Sequence, residues 1–206
     1  MDPGDIISAS TTLAPLGTIR SADPRWFRPA APTQWTAERT VAHLSDALLF
    51  YAGQVARRAE HTLPVLRDGR AASPSEQLDN AVTAAHVLAA LLRDLGPARA
   101  WHPSGLADAS GWAGMAVTEL LVHGSDVAHA VEVELPLPRK LCERTLARVF
   151  PWVPLQLGPP EVLLLAVTGR TSVPGLATEP DWWWQSAPLS EWDGHPRKRT
   201  AAPRWQ

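Results

Sequence analysis

Apolar residues recur at the three- and four-residue spacing of an α-helix through the first 150 residues, and this pattern limits the fold most strongly. It is best bounded in the third of its segments. There Ser73 and Glu76 form a capping-box sequence with Pro74 at the first helical position, and Gly96-Pro97 ends the pattern. The apolar face between these signals consists of Leu78, Val82, Ala85, Leu88 and Leu92. The sequence therefore predicts a helix bounded at both ends.

Four other segments show helical periodicity. A first helix is predicted near the N-terminus, where Pro15 and Gly17 favour a kink or an early end. A second helix starts at Thr36, a fourth runs from about residue 111 to 131, and a short fifth spans residues 139–150. We therefore predict an all-α fold, a four-helix bundle with a short fifth helix.

The character of the chain changes after Pro151. Proline and tryptophan become frequent, and six of the ten tryptophans lie beyond residue 150. The segment from Glu161 to Arg170, EVLLLAVTGR, reads as a buried strand that ends in a turn. We predict a helical domain over residues 1–150 and a small C-terminal appendage over residues 151–206, containing a strand or two and packed on the bundle.

Composition excludes several classes of protein. The formal net charge of -2 gives no broad electrostatic surface for nucleic acid, and the basic cluster at residues 197–199 is interpreted as a solvated tail. The longest strongly apolar run, Val162 to Val167, is too short to span a membrane. Cys142 is the single cysteine and is expected to be a small buried hydrophobe. These features, with no apolar signal-peptide stretch near the start, lead us to expect a cytoplasmic protein.

Three residues on two predicted helices form a candidate metal site. Glu119 and His123 are four positions apart, an advance of about 400°, so both side chains share one helical face roughly 6 Å apart along the axis. His43 lies on the second helix, which a bundle can bring opposite the fourth. Two imidazoles and one carboxylate are a common ligand set for a divalent metal. By itself the spacing is weak, because such pairs also occur as core or surface hydrogen bonds.

Two aspartates occupy positions that support this set. Asp46 and Asp126 each follow a candidate histidine by three residues. Either carboxylate could orient an imidazole, and the alternative is an ordinary surface pair. The remaining histidines have no partner at a telling spacing and are expected to be structural or exposed. Phosphate-binding glycine loops and serine-hydrolase motifs do not occur in the sequence.

The residues around these candidates are similar to a known family. The segment WTAERTVAHL, from Trp35 to Leu44, resembles the opening of the second helix in the DinB-like superfamily. The segment ELLVHGSD, from Glu119 to Asp126, resembles the fourth-helix motif of the branch named for mycothiol-dependent maleylpyruvate isomerase. Two shorter matches are DPRW at residues 23–26 and VTGR at residues 167–170. The resemblance covers about residues 1–135, and the C-terminal part is shorter than the isomerase's second domain.

This resemblance implies a fold, a site and a chemistry. It implies a DinB-like bundle, often a homodimer, with a divalent metal, preferentially zinc, bound by His43, Glu119 and His123. It also implies that a low-molecular-weight thiol such as mycothiol is a cosubstrate in the transfer or isomerisation of a small electrophile. In this interpretation Asp126 orients a ligand or moves protons, and Arg170 pairs with a substrate carboxylate. Metal-dependent hydrolysis and a non-catalytic metal-binding or stress-response module remain the alternatives.

Overall fold

The protein is mostly helical in a computed structural model that describes residues 1–64, 72–177 and 179–199. The described residues form six α-helices and one two-stranded antiparallel sheet. In chain order the elements are α1 (Pro3–Thr11), α2 (Ala37–Ala56), α3 (Pro74–Leu95), β1 (Ala100–His102), β2 (Gly105–Ala107), α4 (Ala109–Ala130), α5 (Arg139–Val149) and α6 (Pro160–Val167). Within the described ranges, no helix is both long enough and apolar enough to cross a membrane.

Side-chain caps fix where the helices begin. The hydroxyl of Ser73 accepts a hydrogen bond from the backbone N–H of Glu76, and the carboxylate of Glu76 accepts one from the backbone N–H of Ser73, so the predicted capping box of α3 is confirmed. At the starts of α2 and α4, the side chains of Thr36 and Asp108 each accept one hydrogen bond from a backbone N–H of the first turn. The first helix stops early, as its proline and glycine suggested, and residues 14–18 form a 3₁₀ turn.

Helices α1, α2 and α3 each contact α4. Helix α2 contacts α3 and α4, α1 contacts both of the same helices, and α5 joins α4 to α6. Helix α4 is buried on nearly every side, as expected for a helix that is apolar on more than one face. The largest fully buried side chains include Trp26, Leu44, Leu48, Leu88, Trp112, Met115 and Leu120. The core therefore surrounds the helix that carries Glu119 and His123.

The strand predicted at residues 161–170 is wrong, because this segment forms helix α6 and the turn that follows it. Pro159 and Pro160 start the helix, and the residues that it buries include Leu163, Leu164 and Val167, at helical spacing. A short apolar run does not distinguish a buried strand from one face of a short helix. The strands lie instead at residues 100–107, where none was predicted, and the described part of the C-terminal region holds only an isolated bridge between Trp182 and Lys198.

The C-terminal segment is attached to the helices by backbone and buried polar contacts. The backbone N–H of Gln185 donates to the carbonyl of Val149 at 3.0 Å. Arg148, a buried residue of α5, donates to the carbonyls of Gln185 and Ser186 at 2.8 and 3.2 Å and forms an ion pair with Asp108. These contacts hold residues 183–186 against α4 and α5, which places the tryptophan-rich segment beside the candidate site.

Candidate metal centre

His43, Glu119 and His123 lie close together, as expected if the second helix packs against the fourth. His43 projects from α2, and the other two residues project from the same face of α4. One ligand atom from each residue lies within 4.8 Å of the corresponding atoms of the other two. His43 and Glu119 are buried, and the side chain of His123 is 15% exposed. These three side chains could therefore hold a metal ion.

The distances within the cluster suit a shared divalent cation. Oε2 of Glu119 lies 3.6 Å from Nε2 of His43 and 3.3 Å from Nε2 of His123. Two ligand atoms that each lie about 2.0–2.2 Å from a tetrahedral zinc ion are separated by roughly 3.3–3.6 Å. The donor set, two imidazole nitrogens and one carboxylate, also matches zinc chemistry. The residues present therefore fit a divalent ion with coordination positions left for another ligand.

Mutual electrostatics keep the carboxylate of the cluster ionised. Burial by itself would raise the pKa of Glu119, but hydrogen bonds and charge interactions with His123 and His43 hold it well below its usual range. Burial has the opposite effect on a histidine and would lower the pKa of His123. Hydrogen bonds with Asp126 and Glu119 outweigh burial and raise this pKa to about 9. A negative charge is therefore stable at this position inside the protein, as a cation site requires.

Asp126 orients His123 through the ring nitrogen that faces away from Glu119. Its Oδ2 accepts a hydrogen bond from Nδ1 of His123 at 3.0 Å, so Nε2 is the ring nitrogen that faces Glu119. Asp126 is itself buried, and the guanidinium of Arg170 donates to both of its oxygens at 3.1 and 2.7 Å. A continuous hydrogen-bonded chain thus runs from the turn after α6 to the cluster. Asp46, the other aspartate considered, lies 3.7 Å from Arg39.

Tyr51 supports the other side of the carboxylate. Its hydroxyl donates a hydrogen bond to Oε1 of Glu119 at 3.0 Å, which leaves Oε2 for the two histidines. Tyr51 packs against Trp112 and against His102, a fully buried histidine. Burial lowers the pKa of His102 to about 3, so this ring stays neutral. The cluster therefore rests on an aromatic layer that keeps water from its inner side.

An open cavity of 710 Å³ lies on the outer side of the cluster. Its walls include the three candidate ligands, Arg170 and residues from the C-terminal segment. Four indole side chains also line it, those of Trp35, Trp182, Trp183 and Trp184. A volume of this size is typical of sites that bind small molecules. The free coordination positions of a bound metal would therefore face a space that a substrate can enter.

Known proteins offer no match. Comparison found no protein-family model, no curated protein and no solved structure similar to this chain. The geometry of the site is therefore the basis for any functional inference.

Several site residues were not predicted. Tyr51 was assigned only to an apolar face, although a buried tyrosine usually has a hydrogen-bond partner and this is the only tyrosine in the chain. Trp183 and Arg199 reach the cavity through long-range packing, for which the sequence gives no local signal. The other histidines behave as expected, since His61, His86, His129 and His195 are exposed and His102 is part of the core.

Proposed function

We propose that this protein is a metal-dependent enzyme that acts on a small electrophile. It would use a low-molecular-weight thiol either as the group transferred to the electrophile or as a cosubstrate in its isomerisation. We further propose that its helices form a DinB-like four-helix bundle, with zinc as the favoured metal. The observation that carries the proposal is the cluster of His43, Glu119 and His123 at the wall of a 710 Å³ cavity. A purely structural metal site would be closed by protein ligands, whereas three ligands beside a cavity leave room for a substrate.

The thiol in this proposal comes from outside the chain. Cys142, the only cysteine, is a buried residue of α5 and is not among the residues that line the cavity. Burial raises the pKa of its thiol to about 12, so it is a poor nucleophile near neutral pH. A bound divalent cation supplies the missing chemistry, because it lowers the pKa of a thiol that coordinates it.

The chain's own residues bind, orient and shield. His43, Glu119 and His123 would hold the metal, and Asp126 would fix the ring of His123 through Nδ1. The indoles of Trp35 and Trp182 would restrict water around an apolar substrate. The role predicted for Arg170 from the sequence, pairing with a substrate carboxylate, stays a prediction. Three of its N–H groups already donate to Asp126 and Thr168, so fewer are available to a substrate.

The test is a screen of small electrophiles with purified, metal-loaded protein and mycothiol or a surrogate thiol. We expect turnover that needs both metal and thiol, stops on chelation and returns when metal is added back. Glu119→Ala should be inactive, and His86→Ala, at an exposed position of α3, should match the wild type.

Two other outcomes would overturn the proposal. Turnover that needs metal but no thiol would identify a hydrolase, for which the same open positions would serve a water molecule. Absence of turnover from fully metallated protein across the screen would identify a non-catalytic metal-binding module.

A further inference from the structure

Arg199 contributes a positive charge to the cavity, and no carboxylate pairs with it among the residues that the structure describes. Its neighbours in the basic cluster differ in this respect: Arg197 forms an ion pair with Asp193, and Lys198 forms one with Glu179. Arg199 lines the cavity that contains the metal cluster. The interpretation of residues 197–199 as a freely solvated tail is therefore wrong for this residue.

The guanidinium of Arg199 is held in place by contacts that leave most of its donors free. It lies over the ring of Trp183, 5.4 Å from the centroid, and its Nη2 donates to the carbonyl of Pro180 at 3.1 Å. Its backbone N–H donates to the carbonyl of Asp181 at 2.7 Å. An arginine fixed in this way binds an anion at a lower entropic cost than a mobile one, because its orientation is already set.

The balance of charge in the cavity favours an anion. The formally charged side chains that line it are Glu119, Glu179, Arg170 and Arg199. Glu179 is neutralised by Lys198, and Arg170 by Asp126. A divalent cation at the cluster would more than offset the charge of Glu119, and the charge of Arg199 would then add to a net positive cavity.

The tryptophan side chains in the cavity wall favour a ligand with a flat, apolar ring. Four indole side chains line the cavity, and those of Trp35 and Trp182 are only half-buried, so an aromatic ring can pack against them. A planar guanidinium that rests on one of these indoles can form two parallel hydrogen bonds with a carboxylate. Anion recognition and ring recognition therefore occur side by side on the wall formed by the C-terminal segment.

We propose that Arg199 and Trp183 form a subsite for the carboxylate of a small aromatic acid, which is the electrophilic substrate. The inference rests on the proposed function, since it places the substrate within the same cavity. It assigns recognition of the anionic group to Arg199, and it leaves Arg170 as a positioning residue that acts through Asp126 and His123.

The test is calorimetric binding of cinnamate and cinnamamide to the metal-loaded full chain, without thiol. We expect cinnamate to bind about tenfold more tightly or better, because a hydrogen bond to a charged group is stronger than one to a neutral group. Arg199→Gln should remove the preference for cinnamate over cinnamamide, and Arg199→Lys should keep part of it. Arg197→Gln is the matched control and should keep the preference, because Arg197 does not line this cavity.

The comparison of acid and amide on the unaltered chain keeps the test valid if a variant fails to fold. Repeating it after chelation separates a carboxylate bound at Arg199 from one bound at the metal: the preference should persist. Equal affinity for acid and amide, or an unchanged preference in a folded Arg199→Gln protein, would overturn the inference. Since no turnover is measured, failure of the proposed function would leave these binding results readable on their own.

Discussion

Glu119 is a buried carboxylate whose charge is compensated by three protein partners. Tyr51 occupies one oxygen, and His43 and His123 approach the other. A buried charge of this kind needs several compensating contacts to be stable. A divalent ion bound by the two imidazoles and the carboxylate would place a larger compensating charge at the same point.

Substitution of any one of the three candidate ligand side chains should therefore remove most of the bound metal. We expect one divalent ion per chain in the wild type and most of it lost in His43→Ala, Glu119→Ala and His123→Ala, as measured by elemental analysis. His86→Ala and His129→Ala are the controls, because both histidines are exposed and lie outside the cluster. Full occupancy in the three ligand variants would show that the ion binds elsewhere.

Asp126 should tune the metal without being a ligand. Asp126→Asn keeps the shape of the side chain but weakens its hydrogen bond with His123 and its ion pair with Arg170. We expect the metal to bind about ten- to hundredfold more weakly, and turnover of the saturated protein to be slower. Competition with a chromogenic chelator measures the affinity, and unchanged affinity in the variant would contradict the orienting role.

Cys142 should be unreactive in the native protein. Its pKa of about 12 lies far above the pH of the assay, so at pH 8 almost none of the thiol is ionised, and the side chain is also buried. We expect one thiol per chain to react with an aromatic disulfide reagent in guanidinium and none to react rapidly in its absence. Cys142→Ser should retain thiol-dependent turnover, and its loss would implicate the protein's own sulfur.

At the level of single elements, the sequence predicts a helix well where both ends carry a signal. Helix α3 has its capping box, and α4 has enough apolar length to be recognised, with bounds within two residues of those observed. Helix α6 has only eight residues, too few for periodicity to separate helix from strand. The three-residue strands β1 and β2 are shorter still, and their pairing depends on the turn between them.

A glycine on α4 should report how closely the C-terminal segment packs on that helix. A Cβ atom at Gly111 would lie 1.9 Å from the backbone carbonyl oxygen of Ser186, so the segment would have to move. We expect Gly111→Ala to lower the free energy of unfolding by about 1–3 kcal/mol, as overpacking does. Urea denaturation measures this change.

Gly53 on α2 provides the matched control for this substitution. A Cβ atom there would have no neighbour within 4 Å. We expect Gly53→Ala to be neutral or to stabilise the protein by about 0.5–1 kcal/mol, since alanine is the better helix former. If both variants had the same stability, the close contact between α4 and residue 186 would not exist in solution.

At the scale of the whole molecule, the candidate metal ligands could be predicted from the sequence, whereas the cavity beside them could not. His43, Glu119 and His123 are side chains on helices whose period can be read from the sequence, and the family resemblance reinforced them. The opposite wall is formed by Arg170, Trp183 and other residues beyond position 150, where irregular backbone gives no periodic signal. Their positions depend on buried contacts such as those of Arg148, which link residues far apart in the chain.

The oligomeric state is a further prediction for the whole molecule. The DinB-like resemblance implies a homodimer formed through a helical face. Multi-angle light scattering should give a mass near twice the 22.3 kDa of one chain at micromolar concentration. The metal-free protein is the control, because it shows whether assembly depends on the ion. A mass of one chain under both conditions would contradict the prediction.

The position of Arg170 has a consequence for the growing polypeptide. A ribosome adds roughly 5–20 residues per second, so α2 and α4 are synthesised some seconds before the arginine that fixes Asp126. Until then His123 lacks its final orientation, and a nascent chain should capture metal more weakly than the released protein. A bound ion would therefore be held firmly only after the turn that follows α6 has packed against Asp126 on α4.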